Sequence, residues 1–184
     1  MRVAICEYGA GNVRSVALAL QRAGAELVDD VDGADLAVLP GVGSARTAMA
    51  GLQSRGFDVA LQARVAAGKP VLGICLGLQL ALEASDEDGG VEGLGLLPGR
   101  AERIRDGRVP RMGWAVVEPL GEAFYFAHSY AAVTPCATAW AEGAVAEVRA
   151  PAFVGCQFHP EKSGAAGARY LTRVLEEVAC LSPV

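Results

Sequence analysis

The run Val71-Leu72-Gly73-Ile74-Cys75-Leu76-Gly77-Leu78-Gln79 constrains this chain more than any other segment. An apolar stretch passes into Gly-x-Cys-x-Gly and then into further apolar residues. A strand that turns sharply into a helix is the pattern of a nucleophile elbow, here with cysteine at its apex. The glycines have a steric reason. A nucleophile in a strained turn needs close-packed neighbours, and Gly73 and Gly77 leave room for them. The turn places the Cys75 sulfur at a helix start, where the dipole favours thiolate. It also frees the Leu76 N–H to hold a developing oxyanion. The alternative is a buried core cysteine, since free cysteine is among the most buried residues.

The segments around this elbow alternate in type. Arg2–Cys6 reads as a buried strand. Val13, Val16, Ala17 and Leu20 form one apolar helix stripe that stops near Gly24. A short strand follows at Glu26–Val28, and a buried one at Asp35–Leu39. Helices are expected from about Ser44 and over Phe57–Ala67. Lys69–Cys75 is the elbow strand and Leu76–Ala84 its helix. This βαβαβα order predicts an α/β fold with a mostly parallel central sheet flanked by helices. Ser85–Gly99 reads as a Gly- and Asp-rich loop. Short strands are then expected near Ala101–Ile104, Ala115–Val117, Phe124–Ala127, Thr138–Ala141, Val145–Arg149 and Ala152–Phe158, partly antiparallel. A last helix starts near Ser163, with Leu171, Val174, Leu175 and Val178 on one face. No repeat or Pro/Ser linker interrupts the 184 residues, so one domain over residues 1–184 is expected.

Composition excludes some functions. The net charge of −5 argues against nucleic-acid binding, which usually needs a basic stripe. No apolar run approaches the ~20 residues that span a membrane, and the N-terminus starts as strand and not as a signal peptide. The five cysteines (Cys6, Cys75, Cys136, Cys156 and Cys180) form no Cys-x-x-Cys pair. No zinc or other metal site is expected, and no cofactor. A reducing, cytoplasmic setting fits these thiols.

A cysteine hydrolase needs a base, and the chain has two histidines. His159 ends an apolar strand in Phe158-His159-Pro160-Glu161-Lys162. Residues i and i+2 of an extended chain project to one side, and Pro160 keeps His159 extended. Glu161 would then orient the ring and leave its other nitrogen facing Cys75. The alternative is a surface histidine beside a glutamate at a helix start. His128, in Phe126-Ala127-His128-Ser129-Tyr130, reads most simply as a structural histidine at a strand end. Pro40-Gly41-Val42-Gly43 lies after a strand, where open α/β sheets bind ligands. Its backbone N–H groups are candidate oxyanion donors. It lacks the Gly-Lys-Ser/Thr of a phosphate loop, and a plain tight turn is its alternative.

Taken in order, Pro40–Gly43, Gly73–Gln79 and Gln157-Phe158-His159-Pro160-Glu161 resemble the class I (triad-type) glutamine amidotransferases. Within them the chain is similar to the glutaminase subunits of imidazole glycerol phosphate synthase. That narrower resemblance rests on Gly9–Ser15, Val109–Trp114, Phe126–Tyr130 and Pro160–Ser163. It implies the fold of that family and a Cys75–His159–Glu161 triad that cleaves glutamine through a glutamyl thioester. It implies oxyanion donors at Leu76 and in Gly41, Val42 and Gly43, and pocket residues Gln79, Ser129 and Tyr130. The implied partner is a (β/α)8-barrel cyclase subunit. This partner takes up the ammonia and makes imidazole glycerol phosphate and AICAR in histidine biosynthesis. Asn12, Trp114, Tyr125 and Lys162 fall at the implied interface. For Trp114 the alternative is a buried core aromatic, and for Lys162 a solvated charge. The chain departs from the family at Ala115, where asparagine is common. It is also short, with trimmed loops expected around Ser85–Gly99. Synthases for other products, a stand-alone cysteine hydrolase and a non-catalytic module are the competing assignments.

Overall fold

The computed structural model describes residues 1–9, 12–105 and 107–181. Ala10 and Gly11, within the Gly9–Ser15 segment, lie outside the described residues. In chain order the first half comprises β1 (Arg2–Ile5), α1 (Val13–Arg22), β2 (Glu26–Val28), β3 (Leu36–Leu39), α2 (Ala45–Ser54), α3 (Phe57–Ala66), β4 (Val71–Ile74) and α4 (Leu76–Ala81). The short strands β5 (Ala84–Ser85) and β6 (Val91–Glu92) follow, with a 3-10 turn at Glu87–Gly89 between them. Then come β7 (Arg100–Arg103), β8 (Arg111–Val117), β9 (Glu122–His128), β10 (Tyr130–Val133), β11 (Ala137–Ala141), β12 (Ala144–Ala150) and β13 (Phe153–Cys156). A 3-10 turn at Pro160–Lys162 leads to α5 (Gly164–Leu181).

The main sheet has seven strands in the order β11-β12-β13-β4-β3-β1-β2. From β13 to β2 every pairing is parallel, and β11 and β12 extend the sheet antiparallel. Side chains alternate across these strands and so divide the core in two. Ala4, Ala37, Leu39 and Val71 point to one face, where Met49, Leu52, Leu61 and Leu78 of α2, α3 and α4 cover them. Val3, Leu36, Val38, Leu72 and Ile74 point to the other, under Val16 and Leu20 of α1 and Leu171, Val174 and Val178 of α5. Burial on both faces is what turns β3 and β4 into unbroken apolar runs.

Helix ends follow side-chain chemistry. Asn12 caps α1 by accepting from the Ser15 N–H, and Ser44 caps α2 by accepting from the Thr47 N–H. Helix α4 ends at Ala81, earlier than the expected Ala84, because Leu82 turns extended. The expected loop at Ser85–Gly99 carries more structure than its composition suggests. A second sheet, in the order β10-β7-β5-β6, is built partly from it. Strand β8 also starts earlier than expected, at Arg111, and pairs with β9 as a separate antiparallel hairpin. Among the described residues no helix is long and apolar enough to cross a membrane, and no His/Cys/Asp/Glu group has metal-binding geometry.

Candidate active site

Cys75 sits between β4 and α4 with φ 53° and ψ −109°, a left-handed conformation that non-glycine residues rarely adopt. Its surroundings hold it there. The Cys75 N–H donates to the Cys156 carbonyl at 2.7 Å, and its own carbonyl accepts from Leu78 at 3.1 Å. A Cβ on Gly77 would overlap the Leu39 carbonyl oxygen, so only glycine lets α4 start this close to β3. Gly73 meets the Phe153 ring in the same way. Both elbow glycines therefore have the steric role read from the sequence.

His159 follows β13, the neighbour of β4. Phe158 before it is fully buried, stacked on Phe124 at 4.1 Å and edge-on to Tyr170 at 4.8 Å. The chain therefore leaves the sheet with its aim fixed. The His159 N–H donates to the Tyr125 carbonyl at 2.8 Å, and its carbonyl accepts from the Ser163 hydroxyl at 2.7 Å. His159 Nδ1 and Glu161 Oε1 are 2.9 Å apart, with both side chains 2% exposed. The two residues do meet, but the route differs from the expected one. His159 is extended, whereas Glu161 lies in the 3-10 turn, so the turn rather than strand alternation brings the carboxylate back to the ring.

Burial alone would lower the His159 pKa, but the hydrogen bonds it shares with Cys75 and Glu161 outweigh that cost and raise it to about 9. With Nδ1 committed to Glu161, the other ring nitrogen is the one available to the sulfur. His128 is buried at the end of β9, its Nδ1 2.9 Å from the Tyr130 carbonyl. Desolvation lowers its pKa, which suits a neutral structural histidine.

A cavity of about 250 Å³ opens over the sulfur. Val42, Gly43, Leu76, Gln79, Ser129 and Tyr130 line it with Cys75 and His159. Gly41 does not line it. It is buried beneath Leu76, where a Cβ would stand 2.6 Å from the Leu76 Cβ. Gly43 has φ 98°, which turns the chain toward α2. Three further side chains support this region. The Tyr8 hydroxyl donates to the Pro40 carbonyl at 2.5 Å. Glu87 lines the cavity, and its Oε2 accepts from the Ala45 N–H at 2.9 Å. Burial raises the Glu87 pKa. Gln157 is fully buried beside the sulfur.

Of the four expected interface residues, three adjoin one another. Trp114 and Tyr125 pair across β8 and β9 and meet edge-on at 6.1 Å. Lys162 Nζ lies 5.9 Å from the Tyr125 ring centroid, and Lys162 also lines the cavity. Asn12 is exposed at the start of α1, which packs beside the Pro160–Lys162 turn. Trp114 is no core aromatic. It is 58% exposed, between Met112 at 68% and Val116 at 52% on the same face of β8. The period-two pattern Met112-x-Trp114-x-Val116 was the signal for the two residues the sequence reading left out.

A strained cysteine, a buried His–Glu pair and a glycine turn thus meet at the ends of three adjacent parallel strands, an arrangement suited to a thiol-dependent hydrolase. The Glutamine amidotransferase class-I family matches residues 10–178, and the chain belongs to that family. Within it the chain belongs with the subunits named imidazole glycerol phosphate synthase subunit HisH. It is 45% identical to that of Exiguobacterium sibiricum, over 98% of this chain and 97% of the relative. It is 42% identical to that of Methanothermobacter thermautotrophicus, over 95% and 98%. Among solved structures, a glutamine amidotransferase superposes with a TM-score of 0.73 at 24% identity, over 96% of this chain and 98% of that one. A chain of the PurLQS structure from Thermotoga maritima gives 0.72 at 18% identity, over 97% and 98%. At these identities the superpositions establish the shared fold.

Proposed function

We propose that residues 1–184 form a single glutaminase domain, the ammonia-producing subunit of imidazole glycerol phosphate synthase in histidine biosynthesis. The observation that carries this is the convergence of Cys75, His159 and Glu161 at one cavity at the ends of adjacent parallel strands. The Cys75 thiolate attacks the side-chain amide carbon of glutamine. The oxyanion is held by the Leu76 N–H and by the Gly41–Gly43 turn, of which Val42 and Gly43 reach the cavity. As the C–N bond breaks, the His159 imidazolium gives its proton to the leaving nitrogen, and ammonia departs. The neutral ring then takes a proton from water, which attacks the thioester and releases glutamate. Thiolate and imidazolium are thereby restored. Gln79, Ser129 and Tyr130 contact the glutamine.

The partner in this proposal is a (β/α)8-barrel cyclase that receives the ammonia before water protonates it. It docks on the face bearing Trp114, Tyr125 and Lys162. An exposed aliphatic and aromatic strip beside the cavity supports this placement, since soluble surfaces rarely keep such a patch unpartnered. Asn12 starts the helix beside the Pro160–Lys162 turn, and Ala115 alternates with Trp114 along β8 and packs toward the core. Glutamine hydrolysis measured with and without the cyclase and its nucleotide substrate tests the assignment. Expected is low activity alone and strong stimulation by the pair, abolished in Cys75→Ala with partner binding intact. Undiminished turnover in Cys75→Ala refutes the mechanism, and high basal activity indifferent to any barrel refutes the partner.

A further inference from the structure

The sulfur of Cys75 has a polar neighbour that the steps above leave unused. Gln157 follows β13, fully buried, with its backbone N–H on the Ala146 carbonyl at 2.9 Å. Its Nε2 lies 3.5 Å from Cys75 Sγ. Its Oε1 accepts from Gln79 Nε2 at 3.0 Å, and the same Gln79 nitrogen donates to the Tyr130 carbonyl at 2.8 Å.

The direction of this chain is fixed from its far end. A backbone carbonyl only accepts, so Gln79 must turn its NH2 group to Tyr130. The second N–H of that group then meets Gln157, which must answer with its oxygen. The NH2 group of Gln157 is thereby left against the sulfur, as a donor. A thiolate has no hydrogen of its own and can only accept, so the array matches the ionised state of Cys75. Gln79 has spent its nitrogen in the same chain, and Oε1 is the group it has left for the cavity it lines.

We propose that Gln157 is a positioning residue for the nucleophile. It donates to the Cys75 thiolate and, through Gln79, ties the sulfur to the pocket wall at Tyr130. This rests on Cys75 being the nucleophile. A purely structural amide pair would contribute to stability without changing the reactivity of the sulfur, and that difference is measurable.

The test is alkylation of the full-length chain by iodoacetamide, followed by mass spectrometry of the Cys75 peptide across pH. The exposed Cys180 serves as the internal reference. In Gln157→Leu the Cys75 rate at neutral pH is expected to fall about tenfold, the worth of one charge-assisted hydrogen bond. The gap should close at alkaline pH, where every thiol is ionised, and the Cys180 rate should not move. Gln157→Glu keeps the size and the acceptor for Gln79 but sets an anion beside the sulfur. It should lose at least as much, so the test survives if the leucine variant fails to fold. Equal Cys75 rates in wild type and a folded variant, with Cys75 faster than Cys180 in wild type, overturn this inference alone. A wild-type Cys75 no faster than Cys180 overturns the proposed nucleophile and this inference with it.

Discussion

Replacing Glu161 by glutamine removes a charge while keeping the shape of the side chain. Both members of the His159–Glu161 pair are 2% exposed, so solvent screens the interaction little. A hydrogen bond to a charged group contributes about 1.5–3 kcal/mol, and a neutral one about 0.5–1.5 kcal/mol. Losing the charge therefore disfavours the imidazolium by roughly 1.4 kcal/mol, plus the Coulombic attraction lost with it. At 1.36 kcal/mol per unit, the His159 titration should move down by about one to two units. The sign follows from the chemistry. In the proposed mechanism the imidazolium is the proton donor to the leaving amine, so wild-type activity should fall as the pH rises past about 9. In Glu161→Gln that alkaline limb should come about one to two pH units earlier. The assay is kcat/KM for glutamate formation from pH 6 to 10 with saturating cyclase and nucleotide. An alkaline limb that stays in place refutes the assignment of Glu161 as the orienting carboxylate.

The same pair affects stability. Folding raises the His159 pKa, so its stabilisation is complete below about pH 6.5 and is lost as the pH rises through about 9; thermal midpoints taken across that window should decline, and more steeply than in His159→Ala. Gly77→Ala forces a methyl against the Leu39 backbone, which cannot rotate away. Denaturant unfolding should show a loss of about 1–3 kcal/mol, and turnover should fall about 100-fold if the elbow shifts by about 1 Å. If the proposed cyclase docks on this face, Trp114→Ala should weaken its binding at least about 30-fold, as for a buried aromatic anchor, with an unchanged melting temperature for the chain alone. Titration calorimetry measures the first and thermal unfolding the second. Arg64→Met should cost about 3 kcal/mol, because the buried guanidinium donates to the carbonyls of Val31, Ala34 and Pro70 and these would be left unsatisfied. Arg64 does not line the cavity, so kcat should be unchanged below the melting transition.

The sequence was most legible where one residue type answers one physical demand. β3 and β4 announce themselves as apolar runs because both faces are covered. Cys75 was legible because its turn demands glycines on either side. Other features had no such signature. β10 was missed because only Ser129 separates it from β9, and the apolar pattern runs through both. β5 and β6 have two residues each, too few to show alternation. Glu87 is a loop acid whose neighbours are defined only by tertiary contact with α2. The His159–Glu161 contact was anticipated for the wrong backbone reason, since a turn and a strand can both bring residues i and i+2 together. Gln157 left a faint trace, a lone amide between Cys156 and Phe158 in an otherwise apolar run, whose meaning depends on what it faces.

β3, β4 and β13 lie side by side and release the Gly41–Gly43 turn, Cys75 and His159 at one edge of the sheet. This shared frame determines where the chain can tolerate insertions and deletions. Each strand residue advances the chain about 3.3 Å, so a single insertion in any of these three strands would carry its group beyond bonding reach of the other two. Residues 82–133 are under no such rule. They form the second sheet and the β8–β9 hairpin beside the frame, and they supply Ser129 and Tyr130 to the cavity and Met112, Trp114 and Val116 to the outer face. Changes of length are therefore channelled away from the amide chemistry and toward the surfaces that select what binds.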